Sequence, residues 1–379
     1  MSVFLIFSGI YLLYLLWENF ANRRARRSFL HVIHVNGIRG KTSTCRTLDA
    51  VLRTRYRVFT KTTGTDAAVI DVSGREMPLR RLGPANLHEQ LRIIRRAKRE
   101  GAEILILECM AVNPELQKAA QEKIVRSDIS VITNVRYDHT FEMGDTLEEI
   151  ANSLSAVIPD GGTLISADPA AERYFSAACR EKGTRLIEVS SDPESRDAGT
   201  SRENIAIAMA CARLLGVPEE EARRALPEVR QDFGVLALYT LPGNVDFLNL
   251  FSVNDPQSTE TNLRHSTAPE DGDRLVFLYN HRQDRPDRAV LFARHFIPHY
   301  PEVPVYVTGS GASLAARLFR RAGAGNVRIV PGKQLAAANL RQSLPGLPDH
   351  ALVCGIGNIK GTAYRLIQEM DAPGRKERS

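Results

Sequence analysis

The first seventeen residues, Met1 to Trp17, carry no charged side chain; Glu18 is the first. Extended to Ala21, this apolar run reaches the roughly 20 residues that a helix needs to cross a bilayer. Four arginines follow it, at positions 23, 24, 26 and 27. A secretory signal has its basic cluster ahead of the apolar run and a small-x-small cleavage site behind it. Here the order is reversed and no such site is present. The pattern predicts a transmembrane helix over 1–21 and a basic juxtamembrane linker over 22–30. The arginine excess on one flank keeps that flank in the cytoplasm. A single-pass protein of the cytoplasmic membrane is expected, with its main body inside.

From His31 onward, short β-branched runs alternate with amphipathic stretches. Strands are expected at His31–Asn36, Arg57–Lys61, Ile104–Cys109, Ser130–Val135, Thr163–Ser166 and Arg185–Val189. Helical periodicity occupies Asn86–Glu100 and Thr146–Val157. Alternation of this kind predicts an α/β fold, with a mostly parallel sheet and helices on both faces. The pattern pauses around Pro227–Gly234. It then resumes with strands near Asp246–Val253, Arg274–Tyr279, Val303–Thr308, Val327–Val330 and Ala351–Cys354. Two domains are expected, 31–229 and a smaller α/β domain at 230–372, followed by a disordered tail at 373–379.

Composition changes this picture little. A chain of 379 residues can bury two cores, and 43% hydrophobic with 25% charged residues is ordinary for a globular protein. The net charge of +6 raises nucleic acid as a partner. Much of it, however, is local to the arginines after the apolar run and to Arg95-Arg96-Ala97-Lys98-Arg99 on a helix face. No zinc-finger spacing, RNP aromatics or helix-turn-helix pattern accompanies it, so no nucleic-acid partner is expected. Five scattered cysteines read as free thiols in a reducing compartment. Cys109 reads as a core thiol rather than a nucleophile.

Candidate chemistry begins at the first strand. Asn36-Gly37-Ile38-Arg39-Gly40-Lys41-Thr42-Ser43 follows it and opens a helix. Glycines let the backbone turn its N–H groups toward phosphate oxygens, and the helix N-terminus adds partial positive charge. Lys41 can reach the β- and γ-phosphates, and the Thr42 hydroxyl can ligate Mg²⁺. The stricter P-loop carries a further glycine where Val35 stands, so this is the shorter form. Ile104–Leu107 is a buried strand ending in Glu108, where a carboxylate is costly unless paired or on a metal. Asn134-Val135-Arg136-Tyr137-Asp138-His139 follows another strand. Ligands gather at strand carboxyl ends in open α/β sheets. Glu108 and His139 are therefore expected to converge with Thr42 on Mg²⁺ bound to ATP.

These elements, in this order, resemble the Mur-ligase superfamily, which includes the folylpolyglutamate synthases. The likeness continues through Gly144-Asp145-Thr146-Leu147-Glu148-Glu149-Ile150-Ala151, Asn204-Ile205-Ala206-Ile207-Ala208, Asn254-Asp255-Pro256 and Asp284-Arg285-Pro286-Asp287-Arg288. Within it, Lys61-Thr62-Thr63-Gly64-Thr65, Glu108-Cys109-Met110-Ala111 and Gly355-Ile356-Gly357-Asn358-Ile359-Lys360-Gly361 are similar to the membrane-associated poly-γ-glutamate synthase subunits.

The resemblance implies an ADP-forming amide ligase that works through an acyl phosphate. It implies ATP and Mg²⁺ as cofactors, and glutamate with a growing poly-γ-glutamate chain as substrates. Small membrane proteins of a synthase or export complex are the implied partners, together with self-association. It assigns Lys41, Glu108 and His139 to catalysis, and Thr42, Glu108 and His139 to Mg²⁺. ATP falls to residues 36–43 with Asn204, Asp255 and Arg285. Lys61 and Thr63 either line the acceptor site or form an ordinary βα turn. Arg282 and Arg285 close over phosphate or polymer, or make surface ion pairs. One departure stands out: many relatives carry a carbamylated lysine where this chain has Leu154. The competing reading is a membrane-tethered P-loop NTPase driving assembly or export.

Overall fold

The computed structural model describes residues 2–64, 67–79, 81, 86–190, 202–228 and 236–371. Thr65, the expected domain boundary near residue 230 and the expected tail lie outside these. The chain forms two compact units. The first comprises Met1–Val135 with Glu142–Gln231, and the second Arg136–Phe141 with Asp232–Ser379.

The first unit is built on an eight-stranded sheet in the order β4-β3-β2-β5-β1-β6-β7-β8. Its strands are β1 (His31–Asn36), β2 (Val58–Lys61), β3 (Ala68–Ile70), β4 (Glu76–Pro78), β5 (Ile104–Glu108), β6 (Ile129–Ile132), β7 (Thr163–Ser166) and β8 (Arg185–Glu188). The central pairs β2/β5, β5/β1, β1/β6, β6/β7 and β7/β8 are parallel, and β2/β3 and β3/β4 are antiparallel. Every residue of β5 is buried, as a strand covered on both faces requires. On one face, α2 (Lys41–Leu52) places Cys45, Leu48 and Val51 against Ile205, Ala208 and Cys211 of the helix Arg202–Leu214. On the other, α3 (His88–Arg99) places Ile93, Ile94 and Ala97 against Phe59, Leu105 and Leu107. The short strands β3 and β4 at one end of the sheet were not foreseen: three residues are too few to display a period of two.

Helix α1 runs unbroken from Ser2 to Arg26. Residues Phe4–Arg26 make it long and apolar enough to cross a membrane. The expected linker over 22–30 is corrected here. The helix continues through the basic cluster, and Asn22, Ala25 and Phe29 are buried in the first unit. The apolar side of that cluster is narrow, which is why its polar composition read as a linker.

The second unit holds a six-stranded sheet in the order β13-β12-β11-β14-β10-β9. Its strands are β9 (Ala237–Leu241), β10 (Val245–Asn249), β11 (Leu275–His281), β12 (Val305–Gly309), β13 (Val327–Ile329) and β14 (Ala351–Gly357). All pairs are parallel except β9/β10. Phe277, Phe292, Phe296 and Phe319 pack on one face, and Phe247, Phe251 and Leu366 on the other. Burying each such side chain contributes roughly 1.5–3 kcal/mol.

Candidate active site

In the first unit the loop between β1 and α2 is shaped by its two glycines. Gly37 has φ +123°, and a Cβ there would run into Thr133 Oγ1 and lie 2.8 Å from Thr133 N. Gly40 caps α2 at φ +77°. The loop is clipped to the end of β6: Ile38 N–H donates to Asn134 O at 3.2 Å, and Arg39 N–H to Asn134 Oδ1 at 3.0 Å. Thr133 Oγ1 donates to Arg39 O at 2.6 Å. Lys41 folds back over the loop and donates to Gly37 O at 2.7 Å. Ile38 is buried, so that residue serves the core with its side chain and the loop with its backbone. Asn36 is buried as well, and its amide donates to Gln117 Oε1 at 2.7 Å. Ser43, in the first turn of α2, accepts from Thr47 Oγ1 through its carbonyl at 2.8 Å.

Glu108 closes the next strand. It is 2% exposed, and its Oε2 accepts from Thr42 Oγ1 at 3.0 Å and from Thr63 N–H at 2.6 Å. Gly64 presses on the same hydroxyl; a Cβ there would sit 2.5 Å from Thr42 Oγ1. Thr63 thus enters the site through its amide. Lys61 does not reach an open surface. It is fully buried, and its ammonium pairs with Glu89 Oε1 at 2.8 Å. Burial pulls the Lys61 pKa below its usual value even though Glu89 opposes this. Asn204 lies behind the loop, accepting from Thr44 Oγ1 at 2.8 Å. Burial pushes the Cys109 thiol up to about 11, so it stays protonated and unreactive at neutral pH.

The oxygens of Thr42 and Glu108 stand side by side at the phosphate loop. Hard oxygen donors in this number suit Mg²⁺, which takes one or two carboxylates and leaves its other positions to water and phosphate. Among the described residues no group of three or more His, Cys, Asp or Glu is placed to hold a metal ion by itself.

His139 belongs to the second unit, in the segment Arg136–Phe141. Its φ is +54°, a conformation that strains a side chain bearing Cβ and that clusters at functional sites. Its N–H donates to Asp138 Oδ1 at 2.9 Å. Asp138 is fully buried and ion-paired with Arg285 and, at 3.2 Å, with Arg288. Arg285 also meets Asp287 at 2.8 Å. Burial works against the Arg285 charge, but Asp287 and Asp138 outweigh it and raise its pKa above the usual value. Arg285 holds the loop of His139, and Asp255 is buried as the N-cap of the helix Pro256–Ser266, accepting from Ser258 N–H at 2.8 Å. Local sequence could not reveal either pairing, since a capping Asp and a ligand Asp look alike. Asn254 beside it has φ +63°.

A cleft of about 500 Å³ opens at the carboxyl ends of β11, β12 and β14. Arg282, Lys333, Lys360 and Arg365 line it with Asn280 and His281. Both ring nitrogens of His281 and Asn280 Oδ1 are buried without a hydrogen-bond partner among the described residues. Burial lowers the His281 pKa, favouring the neutral ring. Arg282 donates to Asp284 Oδ1 at 3.0 Å.

Residues 35–212 match the Mur ligase middle domain, and residues 238–372 match the poly-gamma-glutamate synthase CapB C-terminal domain. The chain is 30% identical over 383 residues to the "Capsule biosynthesis protein CapB" of Bacillus anthracis, covering 97% of this chain and 80% of that protein. The chain belongs to the CapB family. To the "PGA synthase CapB" of Bacillus subtilis (strain 168) it is 29% identical, with 89% of each chain covered. Among solved structures, its fold is similar to E. coli FolC in complex with ADP, at TM-score 0.61 and 17% identity, covering 93% of this chain and 92% of that one. It is likewise similar to a Yersinia pestis folylpolyglutamate synthase/dihydrofolate synthase complexed with AMPPNP and Mn ion, at TM-score 0.62 and 16% identity, covering 91% and 90%. As a CapB-family Mur ligase, the chain is an ATP-dependent amide ligase.

Several residues at the candidate sites of the two CapB-family units escaped sequence reading. Gln117 and Glu89 sit on helices remote in sequence from their partners Asn36 and Lys61. Lys333 and Arg365 are isolated cations with no motif around them. Lys360 had a signal, because it directly follows the glycine-rich stretch at the end of β14.

Proposed function

We propose that the chain polymerises glutamate through γ-carboxyl amide bonds at the cytoplasmic membrane, using ATP with Mg²⁺ and releasing ADP. The observation that carries this is the second-unit cleft: four cations line a site in which both ring nitrogens of His281 and the Oδ1 of Asn280 have no hydrogen-bond partner among the described residues. Charge-assisted bonds from such cations fit the carboxylates of glutamate and of a polyanionic chain. The names of the CapB relatives support the same substrate. A related structure that holds Mn, AMPPNP and L-glutamate shares the fold.

In this reading a γ-carboxylate oxygen attacks the γ-phosphorus of ATP and ADP leaves, giving an acyl phosphate. The amine of the next glutamate attacks the acyl carbon, phosphate leaves, and the amine proton passes to solvent. The backbone of residues 36–43 and Lys41 hold and neutralise the triphosphate. Positioning and charge neutralisation carry most of the rate. Thr42, Glu108 and His139 would hold Mg²⁺, which neutralises phosphate charge when bound. Asn204 would meet the adenine, while Lys61 and Arg285 act by fixing neighbours. Helix α1 anchors the chain as a single span, and small membrane proteins complete the synthase; self-association is the other form of assembly.

Membranes containing the chain, given ATP, Mg²⁺ and glutamate, should yield ADP together with γ-linked polymer. ADP release that ignores every amino acid added would favour the tethered NTPase instead. Lys333→Ala and Arg365→Ala should raise the KM for glutamate and leave ATP binding unchanged.

A further inference from the structure

Two helices open onto the second-unit cleft from opposite sides of the sheet. The helix Ala312–Arg321 follows β12, and its Ala315, Ala316 and Phe319 pack with Phe277 and Val307 on one face. The helix Thr362–Met370 follows β14, and its Ala363, Leu366 and Ile367 pack with Val276, Leu278 and Val353 on the other. Strands β12 and β14 flank β11, and ligands of open α/β sheets gather in crevices at such strand ends. Gly309 and Ser310 lead into the first helix, Gly361 and Thr362 open the second, and all four line the cleft. Gly311 and Gly361 cap these helices without a side-chain bond, and neither first turn holds an acidic residue. The N–H groups of both ends keep their partial positive charge for an outside anion.

The side chains divide between the two ends in the same way. At the first, a Cβ on Gly311 would lie 3.5 Å from His281 Nε2. Gln283 N–H donates to Ser310 Oγ at 3.0 Å, which holds the neighbouring Arg282 at that end. At the second, a Cβ on Gly332 would run into Thr362 Oγ1. Arg365 Nη2 donates to Leu335 O at 2.9 Å, so the turn Gly332–Gln334 brings Lys333 to that helix. Lys360 directly precedes the Gly361 cap. Among the described residues no carboxylate pairs with Lys333 or Lys360.

The floor between the ends offers acceptors. Asn280 and His281 are each 1% exposed. Asn280 Nδ2 donates to Lys360 O at 2.7 Å, which leaves its Oδ1 beside Gly309 as the unpartnered atom. An amide oxygen only accepts, and a neutral imidazole accepts through one nitrogen and donates through the other. The cleft therefore suits a ligand that brings N–H groups as well as negative charge.

Spacing decides which ligand. Helices of 10–12 Å diameter on opposite faces of a sheet keep their axes at least about 10 Å apart. The two carboxyl carbons of one glutamate are roughly 5 Å apart when extended, so one glutamate serves one end only. A γ-linked chain advances roughly 6 Å per residue, with an α-carboxylate on each residue and an amide N–H between them. The cleft, at about 500 Å³, is of the size that takes drug-sized ligands.

We propose that this cleft holds the γ-glutamate chain itself, about two to three residues of it, with an α-carboxylate at each helix N-terminus and an intervening amide N–H on Asn280 Oδ1. This rests on the reading of the protein as a γ-glutamate polymerase. Joining two carboxylates in one ligand makes the second contact intramolecular and raises affinity without any new kind of contact.

Calorimetric titration of the full chain in mild detergent, with glutamate and with synthetic γ-linked di-, tri- and tetraglutamate, tests this. The trimer should bind about 100-fold more tightly than glutamate. Ser313→Glu puts a carboxylate on an exposed position in the first turn of the first helix, where it suits the helix dipole and repels the ligand. Lys333→Ala removes a cation at the other end. Each should bring the ratio of trimer to glutamate affinity close to one while the thermal melt stays near the parent's. Equal affinity for glutamate and every oligomer overturns the inference, as does a ratio unchanged in both variants. Tripolyphosphate carries the charge without an N–H and should bind more weakly than the trimer; equal binding reduces the cleft to an unselective anion site and overturns the inference as well. A parent that makes γ-linked polymer in membranes but shows a flat length profile loses this inference alone, whereas a parent that makes none loses the polymerase reading with it.

Discussion

The Thr42 hydroxyl donates to Glu108 Oε2 across 3.0 Å, joining the first turn of α2 to the end of β5. Sixty-six residues separate them in sequence. The same carboxylate oxygen takes the Thr63 amide, so one buried charge organises three chain segments around the phosphate loop.

Glu108→Gln keeps the size of the side chain and removes its charge. ADP release should fall by about 100-fold or more, as for loss of a preorganised electrostatic contact. A thermal melt close to that of the parent would separate this from unfolding. Near-normal turnover would place the site elsewhere.

Gly37→Ala puts a methyl group against Thr133 at a φ of +123°. The expected cost is about 1–3 kcal/mol, read as a lower melting temperature. Nucleotide titration should show ATP affinity lost out of proportion to stability, because the displaced loop is the one proposed to hold the triphosphate.

Glu89 is held by Arg81 and Lys61. Burial opposes its ionisation, but Arg81 and then Lys61 outweigh this, and its folded pKa lies below the usual carboxylate value. Its contribution is therefore full above the unfolded pKa and is lost as pH falls through the depressed folded one. Melts recorded from neutral pH into that acidic range should show the parent losing stability, and Glu89→Gln losing less. At neutral pH, Glu89→Gln should be about 3–5 kcal/mol less stable, since it leaves Lys61 buried without its counter-charge.

Asp138→Asn removes the negative partner of Arg285 and Arg288 and loosens the strained loop of His139. Both the melting temperature and kcat should drop. If His139 serves the metal, raising Mg²⁺ should recover part of the kcat and none of the melting temperature.

Leu154 is fully buried, and no lysine occurs between Lys123 and Lys182. A carbamate at that position is chemically excluded, so added bicarbonate should leave activity unchanged and the Mg²⁺ requirement should be high. Leu154→Lys should not lower that requirement, because its surroundings were not built to orient the new group. A clear bicarbonate dependence of ADP release would mean that another lysine has taken the role.

The phosphate loop, the central strands and Glu108 were legible in the sequence because each is a local pattern. A buried parallel strand must be apolar along its length, a tight loop needs glycine, and a charge at a strand end needs a reason. The apolar run of α1 was legible on the same grounds. What only tertiary structure decided are pairings between distant segments: Asn22 with Ile124, Lys61 with Glu89, and Asp138 with Arg285 and Arg288. The same holds for the gathering of Arg282, Lys333, Lys360 and Arg365 around His281. A lone arginine or aspartate is equally compatible with solvent, a helix cap, an ion pair or a ligand. The choice among these is made by which side chain the fold brings within about 3 Å, and no local pattern encodes that neighbour.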